Sequence, residues 1–211
     1  MTHRRSSVAA LGCAFAIGLY AVVPTAATWQ DAPPSPLRLG SSRISIAGTS
    51  NIHAYTASTT AARIVRLQVA PGVPGANVLE EILKPGAISA FEIAIQAATL
   101  SSPKEGLDKN MHKALKVTEY PDITFRLARF DGAGSSGTVR VVGVLTIAGV
   151  EREVTLDLET HSTPSTLTVK GEVQLLMTDF GIVPPKAMLG MLKTDPKVTV
   201  TFETVLAIPL T

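Results

Sequence analysis

Along most of the chain, large apolar residues alternate with polar ones in short runs. In Phe91-Glu92-Ile93-Ala94-Ile95-Gln96 the bulky apolar groups hold one parity, and Glu92, Ala94 and Gln96 hold the other. Successive side chains of a strand point to opposite faces, so the run predicts a strand with one greasy and one mostly wet side. Val65, Leu67 and Val69 alternate in the same way with Arg66 and Gln68, and Ile123, Phe125 and Leu127 with Thr124 and Arg126. Val154, Leu156 and Leu158 do so with Thr155, Asp157 and Glu159. Leu167, Val169, Val173 and Leu175 are interleaved with Thr168, Lys170, Glu172 and Gln174, and Val198, Val200 and Phe202 with Thr199, Thr201 and Glu203. Adding Ile44–Thr49 and Val139–Ile147 gives about eight strands.

The period changes in Gly106–Lys116. Leu107, Met111 and Leu115 recur four apart with Ala114 on their face, Asp108 lies near the start, and Lys113 and Lys116 lie near the end. That spacing and charge order predict a short helix, stopped before Pro121. Lys186–Leu192, just after Pro184-Pro185, is a weaker helical candidate. Residues 28–40 hold Pro33, Pro34 and Pro36 without a sustained period and read as an extended lead-in. Many short one-sided strands leave a sandwich or a barrel. Gly143 and Gly171 break the apolar parity of two long strands, and such glycines often mark barrel corners, which favours the barrel.

The first 27 residues resemble a secretory signal peptide: Arg4 and Arg5, an apolar run from Val8 to Val23, then Pro24 and Thr25-Ala26-Ala27. The alternative, an uncleaved membrane anchor, is disfavoured by the small residues, the Pro and the polar stretch that follows. Cys13, early in the apolar run, raises lipidation as a further alternative. Cleavage predicts a periplasmic or secreted protein of one domain, residues 41–211 behind the lead-in. It removes two of the 19 basic residues and none of the 17 acidic ones, leaving no net charge and no cysteine. A neutral surface gives no electrostatic reason to expect nucleic acid. It also does little to oppose a homodimer, and transient membrane contact is compatible with it. Without a disulfide the domain must hold by core packing.

Catalytic patterns are missing. There is no Gly-x-Ser-x-Gly turn, no phosphate-cradling glycine loop and no dinucleotide fingerprint, and Asp179-Phe180-Gly181 matches a kinase tripeptide by letters only. His53, His112 and His161 form no short-spaced metal pair, so no metal site is expected, although His53 and His112 with Asp108 is the set to check. The protein is therefore expected not to be an enzyme and to need no cofactor. Apolar content is the positive signal: 45% of residues are hydrophobic and only 5% aromatic. Aliphatic walls suit a long alkyl chain, which is held by area rather than by hydrogen bonds. The same residues would also fill a dry core.

Three segments, in order, resemble the YceI-like family of exported lipid-binding proteins. The first is Gly106-Leu107-Asp108-Lys109-Asn110-Met111-His112 with the following Tyr120-Pro121-Asp122-Ile123-Thr124-Phe125. The second is Gly143-Val144-Leu145-Thr146-Ile147-Ala148-Gly149-Val150-Glu151-Arg152, similar to a family hairpin. The third is Met177-Thr178-Asp179-Phe180-Gly181-Ile182, and Ser50-Asn51-Ile52-His53 is a looser match. The chain departs from the family at Leu107-Asp108, where Arg-Asp is usual, and at Leu115-Lys116-Val117, where an aromatic pair is usual.

The resemblance implies an all-β fold with a short helix, an antiparallel lipocalin-like β-barrel. Its occupant would be a polyisoprenoid, isoprenoid quinone or other long-chain lipid. The inward-facing candidates for its walls are Phe91, Ile93, Ile95, Phe125, Leu127, Val141, Leu145, Leu156, Leu158, Val173, Leu175 and Phe202. Met188 and Leu192 are expected as a pliable lid, and His53 and His112 as contacts for a polar head group. A solidly packed envelope protein without ligand and a His-dependent metalloprotein are the alternatives.

Overall fold

A computed structural model describes residues 37–71, 78–133, 137–187 and 191–208. The elements are β1 (Arg38–Ser50), β2 (Ala54–Thr59), β3 (Ala62–Val69), α1 (Val78–Glu81), β4 (Ile88–Gln96), α2 (Glu105–Leu115) and β5 (Asp122–Ala133). They continue with β6 (Thr138–Ile147), β7 (Val150–Ser162), β8 (Thr166–Leu176), β9 (Lys186–Ala187) and β10 (Leu192–Ala207). Nine strands form one antiparallel sheet in the order β2-β1-β10-β8-β7-β6-β5-β4-β3, and the two-residue β9 pairs with β10. The sheet curls into a half-barrel, the all-β lipocalin-like architecture expected from the sequence.

The two edges of that sheet are one stretch of chain. β2 pairs with β1 and β3 pairs with β4, yet only Thr60 and Ala61 separate β2 from β3. The seam is stitched where the chain leaves β4. Ser58 and Ser101 exchange backbone hydrogen bonds of 2.8 and 3.0 Å, and the Thr59 and Thr99 hydroxyls lie 2.7 Å apart. Covering an edge in this way removes a row of unpaired backbone groups that would otherwise template aggregation.

The β6–β7 hairpin turns through Ala148 and Gly149, both at positive φ (50° and 79°). Two left-handed residues make the turn whose twist matches that of the flanking strands, and glycine adopts such a conformation without steric cost. Helix α2 carries Glu105 and Asp108 in its first turn and His112 and Lys113 in its last, the order that suits the helix dipole. It ends on Lys116 in a left-handed conformation, whose N–H reaches the carbonyls of His112 and Lys113.

Two expectations need correction. The segment 186–192 is not helical where it is described. Lys186–Ala187 is a strand that folds back on Leu192–Lys193, so backbone groups that a helix would use are taken up in the pairing of β9 with β10. The lead-in does not run to residue 40 either. Leu37 is buried and β1 starts at Arg38. The expected signal peptide, Cys13 and the rest of the lead-in up to residue 36 lie outside the described residues. Among those described, no helix is long and apolar enough to cross a membrane.

Buried side chains collect at both ends of the half-barrel and along its wall. At one end, Leu37, Leu67, Val78, Leu79, Ile82, Leu167 and Leu206 pack together around α1. At the other, Leu100, Leu115, Ile123, Leu175, Phe180, Ile182 and Val198 pack under α2, with Met111 and Ala114 of the helix on top. Between them, Val139, Val141 and Leu156 anchor the wall.

Candidate functional site

The concave face of the sheet encloses a cavity of about 230 Å³. Strand alternation decides what lines it. On β4 the inward side chains are Phe91, Ile93 and Ile95; on β5 they include Phe125 and Leu127, and on β6 Val141 and Leu145. Leu156 and Leu158 on β7, Val173 and Leu175 on β8, and Phe202 on β10 complete the wall. All twelve strand positions singled out from the sequence thus face one space. The register explains their meeting: Ile93 pairs with Phe125 and Phe125 with Leu145, while Leu158 pairs with Gly171 and Gly171 with Phe202.

Sequence reasoning missed several neighbours. Ile44 and Ile46 come from β1, and Ile82 and Leu83 come from the turn after α1. Phe130 was hidden by a change of parity. The β5–β6 register slips between Leu127 and Arg129, so the inward set moves from odd to even positions, as a β-bulge requires.

The glycines in these walls have a packing role. A methyl group on Gly143 would overlap the Phe125 ring, and one on Gly171 would overlap the Phe202 ring. Both positions face inward, so each glycine recesses the wall and lets a phenyl ring lie against the sheet rather than across the lumen. This accounts for their place in long apolar strands more directly than a barrel corner does.

The lining is almost wholly hydrocarbon. Among the described residues only Thr160 and Thr204 bring side-chain oxygens, and both are engaged: Thr160 donates to the Gly137 carbonyl at 2.9 Å, and the Thr204 hydroxyl lies 3.1 Å from that of Ser42. The cavity therefore offers area and shape and almost no free hydrogen-bonding group. An engineered cavity of roughly 150 Å³ with Leu, Ile and Phe walls stays dry and takes up benzene, and the present cavity has the same kind of wall. Charged groups stay on the outer face, where Arg140 meets Asp157 at 2.7 Å and Lys170 meets Glu203 at 3.4 Å. Hydrogen bonds from Arg140 hold the exposed Asp157 carboxyl below the usual carboxylate range.

Neither histidine proposed for a head group lines the cavity. His53 is exposed in the β1–β2 turn, its Nδ1 3.4 Å from the Ser50 hydroxyl. His112 on α2 has Nε2 2.8 Å from the Leu100 carbonyl and ties the helix to the chain leaving β4. Asp108 accepts a hydrogen bond from the Ser102 N–H at 2.8 Å. Among the described residues, no group of three or more His, Cys, Asp or Glu is placed to hold a metal. Met188 lies outside the described residues, as does the side chain of Leu192, whose backbone opens β10.

One polar atom stands apart. The Tyr55 hydroxyl is buried without a hydrogen-bond partner among the described residues. Its ring lies over Gly48, where a methyl group would overlap it. Burial pushes the phenol pKa up, and the negative charge of Asp195 adds to the rise, so the hydroxyl keeps its proton. An unpaired buried donor costs about 1–3 kcal/mol.

Comparison with known proteins places this geometry. The crystal structure of Burkholderia cenocepacia BcnA superposes with a TM-score of 0.61 at 16% identity, over 78% of this chain and 95% of that one. A polyisoprenoid-binding domain from Saccharophagus degradans superposes with a TM-score of 0.58 at 12% identity, over 83% of this chain and 99% of its own. At such identities the likeness speaks for the fold alone. No curated protein matches the sequence. Residues 48–206 match the YceI-like domain, and the chain belongs to that family.

Proposed function

We propose that this protein binds a long apolar chain, a polyisoprenoid or similar lipid, inside its half-barrel, and that it does so after export as a carrier or store. One observation carries the reading: the cavity is walled by aliphatic and phenyl side chains, and its two hydroxyls are already paired. Such a lining binds by removing apolar area from water, at roughly 0.8 kcal/mol per buried CH₂ before ordering costs. A chain of a dozen or more carbons then binds usefully. Family membership and the likeness to a polyisoprenoid-binding domain support the same class of ligand. Binding rather than catalysis is also what the site chemistry favours, since His112 and Asp108 are engaged by backbone groups beside α2.

The test is extraction of the protein from its native compartment without denaturation, followed by mass spectrometry of the organic molecules that accompany it. A stoichiometric isoprenoid, quinone or other long-chain lipid is the expected result. A protein that carries nothing, and takes up no candidate lipid afterwards, would instead be a packed envelope component. The same fractionation reports export, through the mass of the mature N-terminus.

A further inference from the structure

We propose that the Ser42–Thr204 hydroxyl pair receives the head group of the bound chain, that this head is a neutral oxygen acceptor, and that the tail points to the α2 end. The inference rests on the lipid-binding reading and adds to it a contact, a head-group class and an orientation. Its ground is one row of the sheet. Thr160 of β7 pairs with Val169 of β8, Val169 with Thr204 of β10, and Thr204 with Ser42 of β1. Thr160, Val169 and Thr204 are cavity wall. The rows on either side are hydrocarbon: Leu167 opposite Leu206 toward α1, and Gly171 opposite Phe202 toward α2. Among the described residues the lumen meets side-chain oxygens in that band alone, one row inside the α1 end.

The band has one proton to give. Thr160 spends its own on the Gly137 carbonyl. Ser42 and Thr204 face each other at 3.1 Å, and a single contact between two hydroxyls uses one of their two protons. With Ser42 donating, the spare proton sits on Thr204, the member of the pair that lines the lumen. Both residues are deeply buried, 6% exposed for Ser42 and 9% for Thr204, so that proton is shielded from bulk water and is satisfied by an oxygen arriving with the guest. An anionic head does not suit the place. Among the described residues no charged side chain lines the cavity, and a charge without a partner among hydrocarbon walls costs far more than a neutral oxygen. At the opposite end Leu100, Ile147 and Leu175 present only hydrocarbon, which suits the tail.

The experiment compares three C15 isoprenoid probes of the same chain: the hydrocarbon, the alcohol and the alcohol monophosphate. Their dissociation constants are measured with purified wild type and with a Ser42→Ala, Thr204→Val double variant, which removes both partners together and leaves neither hydroxyl unpaired. The double variant is expected to hold the alcohol about five- to tenfold more weakly than wild type, the factor one net hydrogen bond supplies, and the hydrocarbon equally well. Wild type should hold the phosphate more weakly than the alcohol. Orientation is read in wild type alone, from nuclear Overhauser contacts of the bound alcohol. Its carbinol protons should meet the Thr204 and Thr160 methyls, and its terminal methyls those of Leu175 and Ile147. Reversed contacts, a double variant that weakens both probes alike or neither, or a wild type that holds the phosphate tightest overturns this inference and leaves the lipid-binding reading standing. A wild type that takes up none of the probes overturns both.

Discussion

The two ends of the half-barrel are closed in different ways. At the α2 end no residue of the helix reaches the cavity. Leu115 and Met111 sit on a further layer of packed side chains, among them Phe180 and Ile182, and only inner residues such as Leu100, Ile147 and Leu175 touch the lumen. Polar ties hold that end as well: His112 to the Leu100 carbonyl, Asp108 to the Ser102 N–H and the left-handed Lys116 cap. At the α1 end a helix of four residues does the closing, and Ile82 and Leu83 beside it are themselves cavity wall. A single helical turn has little stability of its own and is held by the apolar contacts of Val78, Leu79 and Ile82. One end is a packed wall and the other a stopper. Local opening is drawn from the regions with the least to lose, so the stopper end is the expected route for a guest.

Paired truncations test that contrast most strongly. Phe180→Ala should cost about 3–5 kcal/mol of folding stability, the usual toll of a buried aromatic, and should leave the release rate of a bound lipid close to wild type. Ile82→Ala should cost about 2–4 kcal/mol and raise the release rate about tenfold or more, because the lost side chain is part of the plug. Urea denaturation gives the first quantity and stopped-flow displacement of a fluorescent lipid the second. Equal acceleration by the two variants would show that the ends do not differ.

A smaller effect belongs to the wall between them. Gly171→Ala places a methyl where the Phe202 ring lies and must push that ring inward or distort β8. Overpacking of this kind costs about 1–3 kcal/mol. The ring's new position should also weaken long, bulky guests more than short, slim ones. A Gly171→Ala, Phe202→Leu double variant should recover much of both losses, and calorimetry with a chain-length series reads them together. Equal weakening across the series would mean that the ring does not set the girth of the cavity.

What could be read from the residues alone follows the same division. The wall was legible because strand alternation maps directly onto an inward face, and all twelve selected positions reach the cavity. Helix α2 was legible from the fourfold spacing of Leu107, Met111 and Leu115. The stopper was not, since a four-residue helix is too short to show a period. Strand β2 escaped because its inward residues are Tyr55, Ala57 and Thr59, small or polar groups fitted against β1 and the Thr99 hydroxyl. Phe130 escaped because a bulge reverses parity in mid-strand, which no alternation rule anticipates. Histidines attract attention in a sequence by their chemistry, but His112 serves here to fasten a helix. The Tyr55 hydroxyl left no signal, because its isolation depends on what every neighbouring strand brings near it.

The smallest expected effect asks whether acid loosens the wall end. Arg63 of β3 donates to both oxygens of Asp122 at the start of β5, reaching past β4. These hydrogen bonds hold the Asp122 carboxyl below its ordinary range, with partial burial opposing them. A carboxylate whose folded pKa is depressed stabilises fully above its unfolded value, near 3.9, and loses that contribution as pH falls through the lower folded value. The pair is well exposed, 54% for Arg63 and 32% for Asp122, so solvent screening keeps its worth to about 0.2–1 kcal/mol. Asp122→Asn should therefore lie below wild type by that amount near pH 7, and the two stability curves should converge below about pH 3. Because the pair stands at the α2 end, a guest leaving past Ile82 should be released at a rate indifferent to its titration. If wild-type release instead quickens steeply as pH drops below about 4 and Asp122→Asn abolishes that dependence, the guest leaves through the end assigned here to the wall.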